Sequence, residues 1–433
     1  MLSPGEAVAP ARSVSRLRAL RMATVAVATL STAAGVFATS TASAFPPGPA
    51  IGSYAAANHG STAFPPAANS AWAYDPAGSP GSWVNTIRDY DRQATAGREM
   101  NEIYSFGTSL VMSCPDNDGT RCTAGDLHSD YTPGSGGYAN TDAYYRAFDD
   151  PHPGSLTVAP ILDGYTGTVG GYTRGFSELS PQLAADYADT VASQVCADPH
   201  VGGLQADVEP FDVSTKNGQY YFYMQLAKDF AGEHAANPAR DPYKCVDATH
   251  PHGRFFSVFN FATAITPGTQ SAANVQDIMN TYGNGYFMDS LYDLSSAPAF
   301  TLNGIGTYKP AAQREAANTK RWANRLHIKY GYGLPAAATA HEYTTCTAAP
   351  TATLSCVPDA TGATGYPMTE YAKAAVNAIK RTGATRDPDY LGTAIWGFFV
   401  GGPGDSGVVV GPTPAPADVL SYFAKHLPVA RRH

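Results

Sequence analysis

Charge is scarce in this sequence: Asp, Glu, Lys and Arg together make up 15% of 433 residues, and the balance is acidic, at −8. A chain this poor in Lys and Arg offers no basic patch to release counterions from nucleic acid or from an anionic membrane, and both are excluded as expected partners. Neutral partners remain. There is no CxxC and no HExxH, and the one close histidine pair, His250-Pro251-His252, reads as a loop. No metal and no cofactor is therefore expected. No GxGxxG or Walker loop follows any apolar run, which removes the usual phosphate cradles. Beyond residue 70 the sequence also lacks a repeat, a long low-complexity run and a break in composition, so it reads as one domain.

What is present begins with an export signal. Arg12, Arg16, Arg18 and Arg21 precede the apolar run Met22 to Ala38, and small residues follow at Thr41-Ala42-Ser43-Ala44. That order is expected of a cleaved signal peptide over 1–44. Its four Arg and one Glu carry +3, which leaves −11 on the remaining chain. A secreted location, extracellular or periplasmic, follows. The six cysteines are Cys114, Cys122, Cys196, Cys245, Cys346 and Cys356, an even number that in an exported chain favours disulfides over metal thiolates. Short-loop closure favours pairing Cys114 with Cys122, Cys346 with Cys356, and Cys196 with Cys245, among the other connectivities six cysteines permit.

Residues 45–70 are dominated by Pro, Ala, Gly and Ser, with Phe-Pro-Pro at 45 and again at 64, and read as a linker or N-terminal arm. From Ala71 to about residue 430, short apolar runs alternate with helical patterns in eight pairs. The expected strands are Ala71–Tyr74, Asn101–Gly107, Leu156–Leu162, Gly203–Glu209, Phe255–Phe261, Tyr286–Tyr292, Gly333–Ala340 and Leu391–Phe398. The expected helices are Trp83–Met100, Thr141–Phe148, Pro181–Val195, Tyr221–His234, Ala272–Met279, Ala311–Arg325, Tyr371–Arg381 and Ala417–Leu427. Such alternation implies a parallel sheet, and eight units point to an α/β fold of the (β/α)8 TIM barrel class over 71–430.

In such a barrel the working residues lie where strands end. The third strand runs into Asp163, the fourth into Asp207 and Glu209, the sixth into Tyr292 and Asp293, and the seventh into His341 and Glu342; the eighth contains Trp396. In Gly203-Leu204-Gln205-Ala206-Asp207-Val208-Glu209 the period of two puts Gln205, Asp207 and Glu209 on one face. Two acids sharing that face each disfavour the other's ionisation, which is how a carboxyl is kept protonated for acid catalysis near neutral pH. The plainer alternative is a strand end where one carboxylate caps the next helix. The chain's 26 Tyr and 18 Phe serve equally as core and as faces on which sugars stack.

These strands resemble glycoside hydrolase family 18, the chitinase and endo-β-N-acetylglucosaminidase family. The family's fourth strand reads DGxDxDxE, and Asp207-Val208-Glu209 matches its last D-x-E; Tyr104-Ser105-Phe106, Tyr292-Asp293 and Trp396 match the second, sixth and eighth strands. The chain departs from the pattern at Gly202 and Gln205, where the family has acids, at Ser290 in place of Met, and at Leu162-Asp163-Gly164 in place of a Gly-Gly pair. The resemblance implies that Glu209 protonates the glycosidic oxygen while Asp207, Tyr292 and Asp293 orient the substrate's N-acetyl group as nucleophile. It also implies that Trp396 forms the floor under the sugar; an ordinary core tryptophan is the alternative. Asp163, Gln205, Glu342 and Tyr104 complete the expected substrate surface.

Two other readings stay open. Acids ending the fourth and seventh strands resemble the retaining arrangement of clan A glycosidases, with Glu209 as acid/base and Glu342 as nucleophile. Family 18 barrels also occur as inactive, lectin-like sugar binders, a reading that the changed Gly202 and Gln205 permit. The long segments 164–178 and 344–368 are expected as loops that set substrate range. No separate carbohydrate-binding module is visible, so an oligosaccharide or glycan is favoured over insoluble polysaccharide, acted on by a monomer.

Overall fold

The computed structural model describes residues 63–64, 68–74, 80–129, 131, 157–166, 172–199, 201–208, 211–232, 243–292, 294, 305–336, 344–348, 354–358, 368–400 and 417–431. All belong to one compact unit, Ser43–His433. Eight strands alternate with helices along it: β1 (Ala68–Tyr74), β2 (Glu102–Met112), β3 (Thr157–Thr166), β4 (Gly203–Asp207), β5 (Phe255–Asn260), β6 (Gly285–Ser290), β7 (Lys329–Pro335) and β8 (Tyr390–Val400). Each pairs in parallel with the next, and β1 pairs with both β2 and β8. The ring therefore closes, and the fold is the (β/α)8 barrel expected. A short strand, Leu127–Ser129, adds antiparallel to β2.

Helices follow the strands because the chain supplies starts for them. Ser180, Asn217 and Thr269 each turn a side-chain oxygen onto a free backbone N–H, at Leu183, Tyr220 and Ala272, and so begin the helices Pro181–Cys196, Gly218–Phe230 and Gln270–Asn280. The remaining helices are Pro80–Gln93, Tyr172–Glu178, Ile305–Leu326, Met368–Thr382 and Ala417–His426. The expected helix at 141–148 lies outside the described residues. The segment 164–178 is not all loop, since β3 continues to Thr166 and a helix starts at Tyr172. Within 344–368 an antiparallel hairpin joins Thr344–Ala348 to Leu354–Pro358.

The barrel floor is closed from outside. Phe64 is buried against Phe255 and Tyr286, with ring centroids 6.3 and 5.8 Å away, at the N-terminal ends of β5 and β6. The end of the Pro-rich arm thus plugs the barrel, and β1 begins three residues inside it, at Ala68. On the same floor Glu102 opens β2 with no solvent exposure, and burial pushes its carboxyl up to about 8, moderated by the hydroxyl of Ser70. Disulfides join Cys114 to Cys122 and Cys196 to Cys245, with Cα atoms 4.7 and 4.8 Å apart. Cys346 and Cys356 face each other in the hairpin register; their side chains lie outside the described residues. Among the described residues no helix is long and apolar enough to cross a membrane.

Candidate active site at the barrel mouth

The register fixes which side chains point inward. Gln205 on β4 pairs with Ser257 on β5, Phe259 on β5 with Met288 on β6, Ser290 on β6 with Gly333 on β7, and Trp396 on β8 with Pro335 on β7. Trp72 enters this interior from β1 and spans it, its indole N–H donating to Oε1 of Gln205 on the opposite wall. A buried indole needs such an acceptor, because an unpaired N–H out of water costs about 1–3 kcal/mol.

Around Trp72 the aromatic residues form one assembly. Tyr104 tilts against it at 6.0 Å, and Phe259 and Tyr292 meet it edge to face at 5.7 and 6.3 Å. Tyr292 lies stacked between Phe259, at 5.6 Å and 18°, and Trp396, at 4.4 Å and 6°. β7 makes room by having no side chain at Gly333: a Cβ there would lie 3.0 Å from both Trp72 and Tyr292. Trp396 is partly exposed, and one of its ring faces packs on Tyr292. Offset or parallel ring stacks of this kind are favourable and rigid.

The acids are distributed more sparsely. Asp207 closes β4 and is partly exposed; its charge adds to burial in holding the Tyr223 phenol, behind β4, above its usual range. Glu209 lies two residues beyond the end of β4 and, like Asp293, His341 and Glu342, outside the described residues. The side chain of Asp163 is also outside them; its backbone pairs with Asp207 between β3 and β4. Behind the wall, Asp289 of β6 and Glu315 of the helix Ile305–Leu326 sit side by side, and burial raises both. Glu315 accepts the Ala262 N–H at 2.7 Å and so fixes the turn Ala262–Ile265 that leaves β5 at the mouth.

Two of the expected substrate contacts are buried in the structure. Tyr104 and Gln205 are 0% and 1% exposed and lie a layer beneath the surface they were expected to line. Alternation along a strand gives the face a residue takes but not how deeply it is buried. Tyr292 is 5% exposed with both ring faces occupied, which makes it the middle of the stack. The residues that sequence reasoning passed over are Trp72, Phe259 and Gly333; a tryptophan in the first strand and a glycine in the seventh were visible, but their contacts cross the barrel.

No model of a known protein family matches the chain, and no curated protein matches its sequence. Among solved structures the chain is similar to a glycoside hydrolase family 18 chitinase from Pseudoalteromonas aurantia, at 12% identity and a TM-score of 0.40, over 76% of this chain and 93% of that one. It is similar also to a glycoside hydrolase family 5 mannosidase from Rhizomucor miehei, at 11% identity and a TM-score of 0.45, over 83% and 92%. A third likeness is endo-glycoceramidase II from Rhodococcus sp., at 13% identity and a TM-score of 0.37, over 81% and 77%. The fold of this chain rests on its own strand pairings.

Proposed function

We propose that the protein is an exported glycoside hydrolase that cleaves N-acetylhexosamine glycans at the mouth of its barrel, with Glu209 as general acid. The observation that carries this reading is the stack Phe259–Tyr292–Trp396, whose Trp396 indole is partly exposed, as is Asp207 at the end of β4. A sugar lying on Trp396 would bring its glycosidic bond to the acids that close and follow β4. Glu209 would give its proton to the leaving oxygen, and Asp207 would orient the N-acetyl group so that its carbonyl oxygen attacks the anomeric carbon. Water would then open that intermediate, returning the proton to Glu209. Trp396 would stabilise the flattened, positively charged ring through its π face. The barrel supports this division of labour, because its C-terminal mouth gathers side chains from separate strands while the floor, plugged by Phe64, supplies stability.

The N-acetyl requirement tests the mechanism. Chain cleavage is measured on N-acetylglucosamine oligomers, on the same oligomers without their acetyl groups, and on mannan oligomers, with the wild type and with Glu342→Gln. The proposal expects turnover confined to acetylated oligomers and retained by Glu342→Gln. Turnover on mannan oligomers that Glu342→Gln abolishes would replace it with a two-carboxylate mechanism.

A further inference from the structure

We propose that Gln205 is a positioning residue for sugar binding, acting through Trp72 and Tyr292 to fix the plane of Trp396; the inference rests on the reading of Trp396 as the sugar platform. Gln205 is 1% exposed and lies beneath Trp72, so it has no direct path to a bound glycan. Its Oε1 accepts the Trp72 indole N–H, which sets the rotation of that ring inside the barrel. The ring so fixed presents its face and edge to Phe259 and Tyr292 at nearly right angles, 87° and 86°. Tyr292 carries the setting onward, because its other side lies flat on Trp396 at 4.4 Å. Gly333 closes the fit, since its missing Cβ is the space into which Trp72 and Tyr292 pack.

An amide at this position is an acceptor that carries no charge. Gln205 and Asp207 share the inward face of β4 two residues apart. A carboxylate at 205 would also accept the indole N–H, but it would raise the proton affinity of Asp207 by like-charge repulsion. An amide supplies the oxygen without placing a second charge on that face. Gln205 thus takes over the structural half of an acid's task and drops the electrostatic half.

The test combines a ligand-free and a ligand-bound readout on the mature, disulfide-intact chain. Near-ultraviolet circular dichroism reports the asymmetric packing of the rings in the free protein, and the chain has only four tryptophans to contribute. Gln205→Leu removes the acceptor, Trp72→Phe removes the donor while keeping a ring, and Gln205→Glu keeps an acceptor. The proposal expects Gln205→Leu and Trp72→Phe to lose the same ring band that Trp396→Ala loses, with Gln205→Glu close to the wild type. Binding of the N-acetylglucosamine tetramer, followed by titration calorimetry, should weaken roughly tenfold in Gln205→Leu, the size expected for a buried donor left unpaired. In a Trp396→Ala background the same change should cost nothing further, because the effect passes through that indole.

A folded Gln205→Leu protein with the wild-type ring spectrum overturns the proposal, as does a loss in affinity that adds fully to that of Trp396→Ala. Unchanged tetramer affinity in Trp396→Ala overturns instead the platform reading beneath it. The two failures are distinguishable, because the ring spectrum of the free protein involves no sugar. Should Gln205→Leu not fold, Trp72→Phe carries the same prediction.

Discussion

Glu102 offers a perturbation whose size can be worked from its surroundings. It sits on the barrel floor with no exposure, and burial lifts its carboxyl from 4.5 to about 8. In the unfolded chain the group ionises near 4.5, whereas in the barrel it stays protonated until about pH 8. Stability from this group is therefore complete below about 4.5 and is lost as pH rises, by about 1.4 kcal/mol per unit. Across the whole window the loss reaches at most about 5 kcal/mol. Glu102→Gln keeps the shape and the hydrogen-bonding oxygen facing Ser70 but has no proton to lose. Thermal unfolding of both proteins at pH 4.5, 6 and 8 should show similar midpoints at the lowest pH and a gap of several degrees in favour of Glu102→Gln at the highest. A gap that stays constant across these pH values, or a wild type that is the more stable at pH 8, would refute the account of the floor.

Three further outcomes follow from packing and chain closure. Gly333→Ala places a Cβ 3.0 Å from Trp72 and Tyr292 and should cost about 1–3 kcal/mol and disturb sugar binding, while Gly306→Ala, with nothing within 4 Å, should leave both denaturation midpoint and binding unchanged. Phe64→Ala opens the floor against Phe255 and Tyr286 and should lower stability by about 3 kcal/mol in denaturant titration, with tetramer affinity kept because the mouth is untouched. Replacing both members of Cys196–Cys245, which spans 49 residues, should cost about 4 kcal/mol against about 2.5 for Cys114–Cys122, which spans 8, as read by guanidinium unfolding.

Much of the fold was legible because period and alternation are local. All eight strands fall where apolar runs predict them, and seven begin within three residues of the expected start. The exception is β7, expected from Gly333 and found from Lys329. Its Tyr330, Tyr332 and Leu334 are buried on one side of the sheet, whereas the inward partners are Gly331 and Gly333, so the usual apolar contrast between faces is missing. Gly333 answers to Trp72, a residue some 260 positions earlier, and Gly331 to Met288, and no window along the chain reports those demands.

The site was legible in outline and not in depth. Asp207 closes β4, and Trp396 lies within β8 beside Pro335, the last residue of β7; both are partly exposed. Gln205 and Tyr104 share the inward faces of their strands but are buried against Trp72. The resemblance to family 18 pointed to Gln205 as the notable departure without giving a reason for it. In the structure the Gln205 amide oxygen accepts the indole N–H of Trp72, a partner more than a hundred positions away that no window along the chain reports.

The central claim is that hydrolysis depends on Glu209 while sugar binding depends on the aromatic stack. Glu209→Gln and Trp396→Ala should be compared with the wild type for cleavage of the N-acetylglucosamine tetramer and for its binding. The account predicts that Glu209→Gln lowers turnover by about 10²-fold or more, in line with loss of a general acid, and still binds the tetramer with nearly unchanged affinity. Turnover that survives Glu209→Gln at the wild-type rate would contradict it.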